Sequence, residues 1–275
     1  MGELIQLGDE KTNKIKGEMM MMETAVKNAR VLEAYEGFVK HMKAFLDEQQ
    51  FNHEEYTNFV KWADRLGRSG EIPLFLDVFV ETYVLEAKYK NSPGTEPSLL
   101  GPYYEENSPL LEGSKVVIPQ RADEPGDKLK FSGNVSSVNG PIGKTKVEWW
   151  QDDADGLYSN YDSTAPEFNL RGQFFTDENG DFEVESIVPI PYQIPTTGPT
   201  GEFTFAAGYH AYRPAHIHIK FDHEGHETLI TQVFFEGDKW LETDVASGVR
   251  SSLTTKLVDK GDYKEASLNF IMRTE

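Results

Sequence analysis

Two histidines, His216 and His218, stand two apart in the run Arg213-Pro214-Ala215-His216-Ile217-His218-Ile219-Lys220-Phe221. The alternation predicts a strand, and in a strand residues i and i+2 point to one face. Two imidazoles side by side can ligate one metal ion, while Ile217, Ile219 and Phe221 form the opposite, core-facing side. The same pair could also serve packing alone. His210, His223 and His226 lie close in sequence but flank turns, so exposure is expected for them. Two histidines do not complete a metal site. A carboxylate would make a two-His, one-carboxylate Fe(II) triad, yet no H-x-D or H-x-E stands at the usual place. Tyrosine is the other candidate anion. Tyr192 lies in Val188-Pro189-Ile190-Pro191-Tyr192-Gln193-Ile194-Pro195, where three prolines stiffen a segment expected to be non-strand and hold the phenol at a fixed point. Tyr158 follows Asp155-Gly156-Leu157, just past the strand bearing Trp149 and Trp150. Either tyrosine, taken alone, also fits a core or rim aromatic.

The rest of the sequence excludes much. There is no cysteine among the 275 residues, so disulfides, thiol nucleophiles, iron–sulfur clusters and thiolate zinc sites are ruled out. The formal charge of −19 repels phosphate backbones and anionic lipid, which argues against nucleic acid and membrane as partners. No G-x-G or G-x-S-x-G occurs. Gly143-Lys144-Thr145 ends like a phosphate loop, but Val138 stands where the first glycine should be. Asp153, Asp155 and Gly156 imitate a calcium loop whose first ligand position holds Gln151. The N-terminus lacks an apolar signal core, and Gln6 stands where a myristoylation signal needs Ser or Thr. A cytoplasmic protein is expected.

The positioning elements follow from periodicity. Met19–Gln50 carries Val31, Ala34, Phe38, Met42 and Phe45 at helical spacing. A second helix is expected over His53–Leu66, with Gly67 as its stop, and a third from Pro73 to Leu85, apolar nearly all round and so buried on several sides. Met19–Met22 reads as an adaptable apolar contact or, more sharply, a lipid or partner surface. Ser92-Pro93-Gly94-Thr95-Glu96-Pro97 breaks the pattern. Short alternating runs follow at 128–135, 144–151, 174–176, 182–187, 215–221, 228–235 and 267–273, separated by turn residues. The expected fold class is α+β, mainly β. A helical N-terminal domain spans 1–97 and an antiparallel β-sandwich spans 98–275.

Ordered pieces of the sequence resemble a known family. Gly101-Pro102-Tyr103-Tyr104, Arg121-Ala122-Asp123-Glu124-Pro125-Gly126, Asp155-Gly156-Leu157-Tyr158-Ser159, Pro191-Tyr192, Arg213-Pro214-Ala215-His216-Ile217-His218 and Thr231-Gln232 together resemble the intradiol ring-cleavage dioxygenases of the catechol 1,2-dioxygenase group. These are non-haem Fe(III) enzymes. The likeness runs over nearly the whole chain except about the first 20 residues. It implies that the sandwich is the catalytic domain. It also implies that Tyr158, Tyr192, His216 and His218 ligate Fe(III), with Tyr192 and His216 axial. Tyr161 competes with Tyr158, and the Gly-x-Tyr-Ser match favours Tyr158. Arg213 and Gln232 stand beside the substrate ring, and Tyr192, once released, takes up a substrate proton. The ring pocket is implied to be lined by Leu74, Asp77, Val78, Leu100, Gly101, Pro102, Tyr103, Tyr104, Val245 and Ala246.

The ligand types suit the ion. Fe(III) is hard and prefers anionic oxygen, and metal binding drives the proton off a phenol whose free pKa is about 10. The resemblance implies cleavage of a small aromatic diol with O2 to a cis,cis-muconate. It further implies a homodimer through the N-terminal helices, with lipid held at that interface as in some members. The segments 193–201 and 235–238 look most like the chlorocatechol branch, although that branch often carries Cys where Ala246 stands. Catechol, chlorocatechol and hydroxyquinol stay open as substrates. So do two readings from other classes. A β-sandwich binding module would be colourless, and a zinc or copper hydrolase would need no O2.

Overall fold

The computed structural model describes residues 29–275. Helix α1 (Ala29–Gln49) comes first, so Met19–Met22 and the start of the helix expected there lie outside the described residues. Asn52 starts α2 (His53–Arg68): its side-chain oxygen accepts from the amides of Glu54 and Glu55, while the Glu55 carboxylate accepts from the Asn52 amide. This reciprocal cap fixes the helix start. The helix runs through Gly67 and is closed by Gly70 at φ +74°. The stretch expected as a third helix is two, α3 (Ile72–Phe79) and α4 (Glu81–Tyr89), divided at Val80 with φ −128° and ψ −38°. Burial on several sides does not hold either. Leu74 and Val78 form one buried i, i+4 stripe, and Ile72, Leu76 and Val80 are exposed.

The strands are β1 (Lys115–Val117), β2 (Lys128–Ser137), β3 (Gly140–Pro141), β4 (Lys146–Gln151), β5 (Arg171–Phe175), β6 (Asp181–Ile187) and β7 (Tyr192–Gln193). After helix α5 (Pro199–Ala206) come β8 (Tyr212–Arg213), β9 (His216–Asp222), β10 (Leu229–Phe235), β11 (Thr254–Thr255), β12 (Val258–Asp259) and β13 (Lys264–Ile271). One sheet has the order β1-β6-β2-β13-β12 with β3 on β2, and the other β11-β10-β9-β4-β5. The expectation of an antiparallel arrangement needs correction. Strand β13 lies parallel to β2 from Lys264↔Leu129 to Ile271↔Ser136, and β1 is parallel to β6. A period-two pattern is the same in either direction. Direction is set by how the chain crosses between strands.

Side chains from both sheets share one apolar core. Phe131 and Phe182 of the first meet Trp149 and Phe221 of the second, and Ile217, Ile219, Val233 and Phe270 fill the space between. The chain divides into two compact units between Lys61 and Trp62, so α3, α4 and the sheets belong to one unit. Within it a second apolar cluster of Leu74, Val78, Leu99, Ile194, Val245 and Ala246 joins α3 to the loops at one sheet edge.

Candidate metal centre and ring cleft

Strand β9 is the middle strand of its sheet, between β10 and β4. Ile217, Ile219 and Phe221 enter the core, which turns His216 and His218 together to the other face. The register sets His218 between Gln232 on β10 and Trp150 on β4. The Trp150 ring stacks on His218 with centroids 4.9 Å apart. Both histidines are buried, and their Nε2 atoms face one another at 3.1 Å. The Nδ1 atom of His216 lies 2.7 Å from the Pro214 carbonyl, a contact that requires it to carry the proton and leaves Nε2 with a lone pair.

The tyrosines arrive from outside the two large sheets. The segment carrying Tyr192 is not free of strand structure. It forms the β7–β8 ladder in which Tyr192 sits opposite Arg213. Tyr158 is placed by a tight turn after β4, where the Asp153 carboxylate accepts from the amides of Asp155 and Leu157. That turn needs Gly156. Its φ is +78°, and a Cβ there would stand 3.0 Å from the Cβ of Tyr192. The four rings converge: Tyr158 to Tyr192 is 5.5 Å between centroids, Tyr192 to His216 5.5 Å, Tyr158 to His218 6.1 Å and His216 to His218 4.8 Å. Tyr161 stands apart, exposed, with its ring against Tyr103.

Burial decides the charge state of the group. It holds both phenols well above their usual range, with each other and Asp152 adding to the effect on Tyr158. Burial, followed by the Arg213 charge, pushes His216 down to about 3, and burial likewise keeps His218 neutral. The Tyr158 hydroxyl is buried without a hydrogen-bond partner. Two neutral imidazoles and two phenols around one point form a donor set that needs a cation to become anionic. No cluster of three His, Cys, Asp or Glu suited to a metal occurs among the described residues. A metal here would draw on phenolate oxygen. The donor types fit a hard trivalent ion, and the orphaned hydroxyl is the atom such an ion would claim.

Beside the rings lies a narrow cleft lined by Leu74, Asp77, Val78, Gly101, Pro102, Tyr103 and Ala246, with Leu99, Ile194, Tyr192 and Arg213 closing it. Asp77 is therefore on the lining. Leu100 and Val245 are not. Leu100 packs with Trp150, Tyr158 and Tyr192, and Val245 lines a neighbouring hollow of about 430 Å³. Tyr104 turns away to hydrogen-bond Glu148 at 2.8 Å. A wider cleft, about 780 Å³, lies elsewhere beside Tyr83, Tyr89 and Arg250 and brings together none of these donors. Convergent chemistry, not volume, marks the site.

Three supporting residues escaped sequence reasoning. Asp244 holds the buried Arg213 through two hydrogen bonds of 3.1 Å, while Arg213 donates to Gln232 Oε1 at 2.9 Å and contacts His216 Nε2 at 3.2 Å. Arg171, fully buried, donates to the Ser159 hydroxyl, the Ser159 carbonyl and the Tyr103 carbonyl, and lies 5.8 Å over the Tyr158 ring. Trp150 was visible only as a strand residue. Asp244 and Arg171 sit in no spacing pattern, because their partners come from distant loops. Of the histidines expected to be exposed, His210 is half-buried against Trp240, and His223 and His226 are half-buried against each other.

Known proteins share this architecture. The family described as catechol dioxygenase N terminus matches residues 28–96, and the family described as dioxygenase matches residues 99–273. A chlorocatechol 1,2-dioxygenase of Rhodococcus opacus is 37% identical over 253 residues, covering 90% of this chain and 98% of that protein. The crystal structure of 3-chlorocatechol 1,2-dioxygenase from Rhodococcus opacus superposes with a TM-score of 0.83 at 36% identity, over 90% of this chain and 99% of that one. Hydroxyquinol 1,2-dioxygenase from Pseudomonas putida superposes with a TM-score of 0.82 at 28% identity, over 97% of this chain and 100% of that one. On these matches, and on the order in which its loops bring tyrosine and histidine together, the chain belongs to the intradiol catechol dioxygenase family.

Proposed function

We propose that Tyr158, Tyr192, His216 and His218 hold one non-haem Fe(III), and that the protein cleaves catechol or chloro- or methyl-substituted catechols with O2 to cis,cis-muconates. The bond that breaks joins the two hydroxyl-bearing carbons, and each new carboxylate keeps one oxygen atom of O2. The observation that carries the reading is the four-ring convergence with an orphaned Tyr158 hydroxyl beside an apolar cleft. Bound Fe(III) supplies the redox-active, Lewis-acidic centre that makes the catecholate ring reactive toward O2. The protein does the rest. Leu74, Val78 and Ala246 supply an apolar wall that excludes water from the ring, and Gly101 and Pro102 line the cleft beside them. Tyr192 accepts a catechol hydroxyl proton on its phenolate oxygen. Arg213, held by Asp244 and Gln232, offers positive charge to the electron-rich ring without reorganising. Replacement of His218 by Ala is expected to abolish iron content and the reddish-brown phenolate colour together, measured by metal analysis and visible absorbance. Tyr161→Phe should leave both intact. Full iron in His218→Ala would sink the ligand assignment.

Asp77 favours a second reading. A carboxylate on the cleft lining could receive a third ring hydroxyl, as in hydroxyquinol. Comparison of kcat/KM for catechol, 4-chlorocatechol and hydroxyquinol on iron-loaded protein separates the two. Preference for hydroxyquinol by tenfold, about 1.4 kcal/mol, would make Asp77 the first residue to replace. For the whole chain the reading extends to a helical segment 1–97, a catalytic β-sandwich 98–275, and a homodimer through the N-terminal helices with lipid at its interface. The dimer is supported by the exposed Leu32, Tyr35, Phe38, Met42, Phe45 and Leu46 of α1. No helix among the described residues is long and apolar enough to cross a membrane, and the cytoplasm is the proposed compartment.

A further inference from the structure

Glu81 opens α4 and reaches out of the helix toward the segment 98–101. Its Oε1 accepts from the Leu100 amide at 3.2 Å. That backbone rests on the metal-site histidine. Gly101 has φ +73°, and a Cβ there would stand 3.3 Å from His218 Cε1. The other polar groups of the segment are pinned by the sheet and its loops: the Ser98 amide donates to Ile230 O, the Ser98 hydroxyl to Gly248 O, and Gln232 Nε2 to Leu99 O. Glu81 supplies the tie to the helices, and α3 carries Leu74, Asp77 and Val78 on the cleft lining. A carboxylate is a costly group for that position. Its Oε2 is shut off from water without a hydrogen-bond partner, and the Asp77 charge repels it. Packing alone would be met by an apolar side chain. What the acid adds is a charged acceptor for the Leu100 amide.

We infer that Glu81 is a positioning residue: by clamping the Leu100 amide, next to Gly101, it makes one backbone segment fix the His218 ring and set the width of the ring cleft. The cleft half of this inference rests on the metal site and substrate class proposed above. Two variants of the full chain separate the roles. Glu81→Leu removes the acceptor, and Glu81→Gln keeps a carbonyl oxygen for an amide. Amide hydrogen exchange reads the clamp without metal or activity. In Glu81→Leu the segment 98–103 should exchange about tenfold faster, with the sheets unchanged. Titration of the iron-loaded proteins with catechol and 4-chlorocatechol, followed by visible absorbance, should show binding weaker by about tenfold to a hundredfold in Glu81→Leu. Glu81→Gln should recover most of both effects. Unchanged exchange in Glu81→Leu, equal behaviour of the two variants, or faster exchange spread over the sheets would overturn the inference. If the wild-type protein takes up no iron, the functional reading fails on its own, and the exchange experiment still decides the clamp.

Discussion

Single residues around the rings carry charges that only their partners make tolerable. Arg171 is a buried guanidinium whose donors go to two carbonyls and a hydroxyl. Arg171→Leu would strand those acceptors, and a loss of about 3 kcal/mol is expected in urea unfolding. Arg171→Lys should recover little of it, because one ammonium cannot reproduce the planar fork. Asp152 is the opposite case, a buried carboxyl whose oxygens lack hydrogen-bond partners. Burial, with Asp153 adding to it, raises its pKa well above 3.8. The unfolded chain therefore loses this proton above about pH 4 while the folded chain keeps it. Stability falls as pH rises from there toward the folded pKa. Asp152→Asn should match the wild type near pH 4 and melt at a higher temperature at pH 8, by a few degrees for about 1 kcal/mol. Equal pH slopes for the two proteins would count against this account.

At the scale of elements, the site is made by two short devices, the 153–157 turn and the β7–β8 ladder, brought to within a Cβ of each other at Gly156. Gly156→Ala puts a side chain at φ +78° and 3.0 Å from the Cβ of Tyr192. The expected cost is about 1–3 kcal/mol. Because the strain is discharged onto Tyr192, the iron-loaded variant should also show a displaced phenolate absorption band. A stability loss with an unmoved band would mean that the turn gives way instead. Gly67 teaches the converse. Its helical fit lets α2 pass through it, and the stop falls at Gly70, where φ is positive.

The whole molecule combines an acidic surface with an apolar helix face. Helix α1 has no buried residue, and a face of this composition is expected to be covered by a second copy. Sedimentation at micromolar concentration should give twice the 31.2 kDa chain mass. Phe38→Glu should shift it toward one chain mass. Given the net charge of −19, lower ionic strength should weaken the dimer through self-repulsion. A single-chain mass for the wild type would refute the dimer.

The donor types and their order along the chain were legible before any coordinates. The i, i+2 histidines needed only the period of a strand, whereas Tyr158 and Tyr192 were singled out as donors by the resemblance of their segments to the family, since each alone also fits a core aromatic. The strand-rich second part and its turns followed from local periodicity for the same reason. Local pattern did not carry strand direction, the break at Val80, helix α5, or the ladder that seats Tyr192 opposite Arg213. Each of these depends on which distant segments compete for the same hydrogen bonds and the same buried volume. The pairing of Asp244 with Arg213, the carbonyl cage around Arg171 and the reach of Glu81 to Leu100 span 31, 68 and 19 residues. Charge satisfaction in a buried site is a property of the assembled fold, because a lone charge has no periodicity to betray its partner.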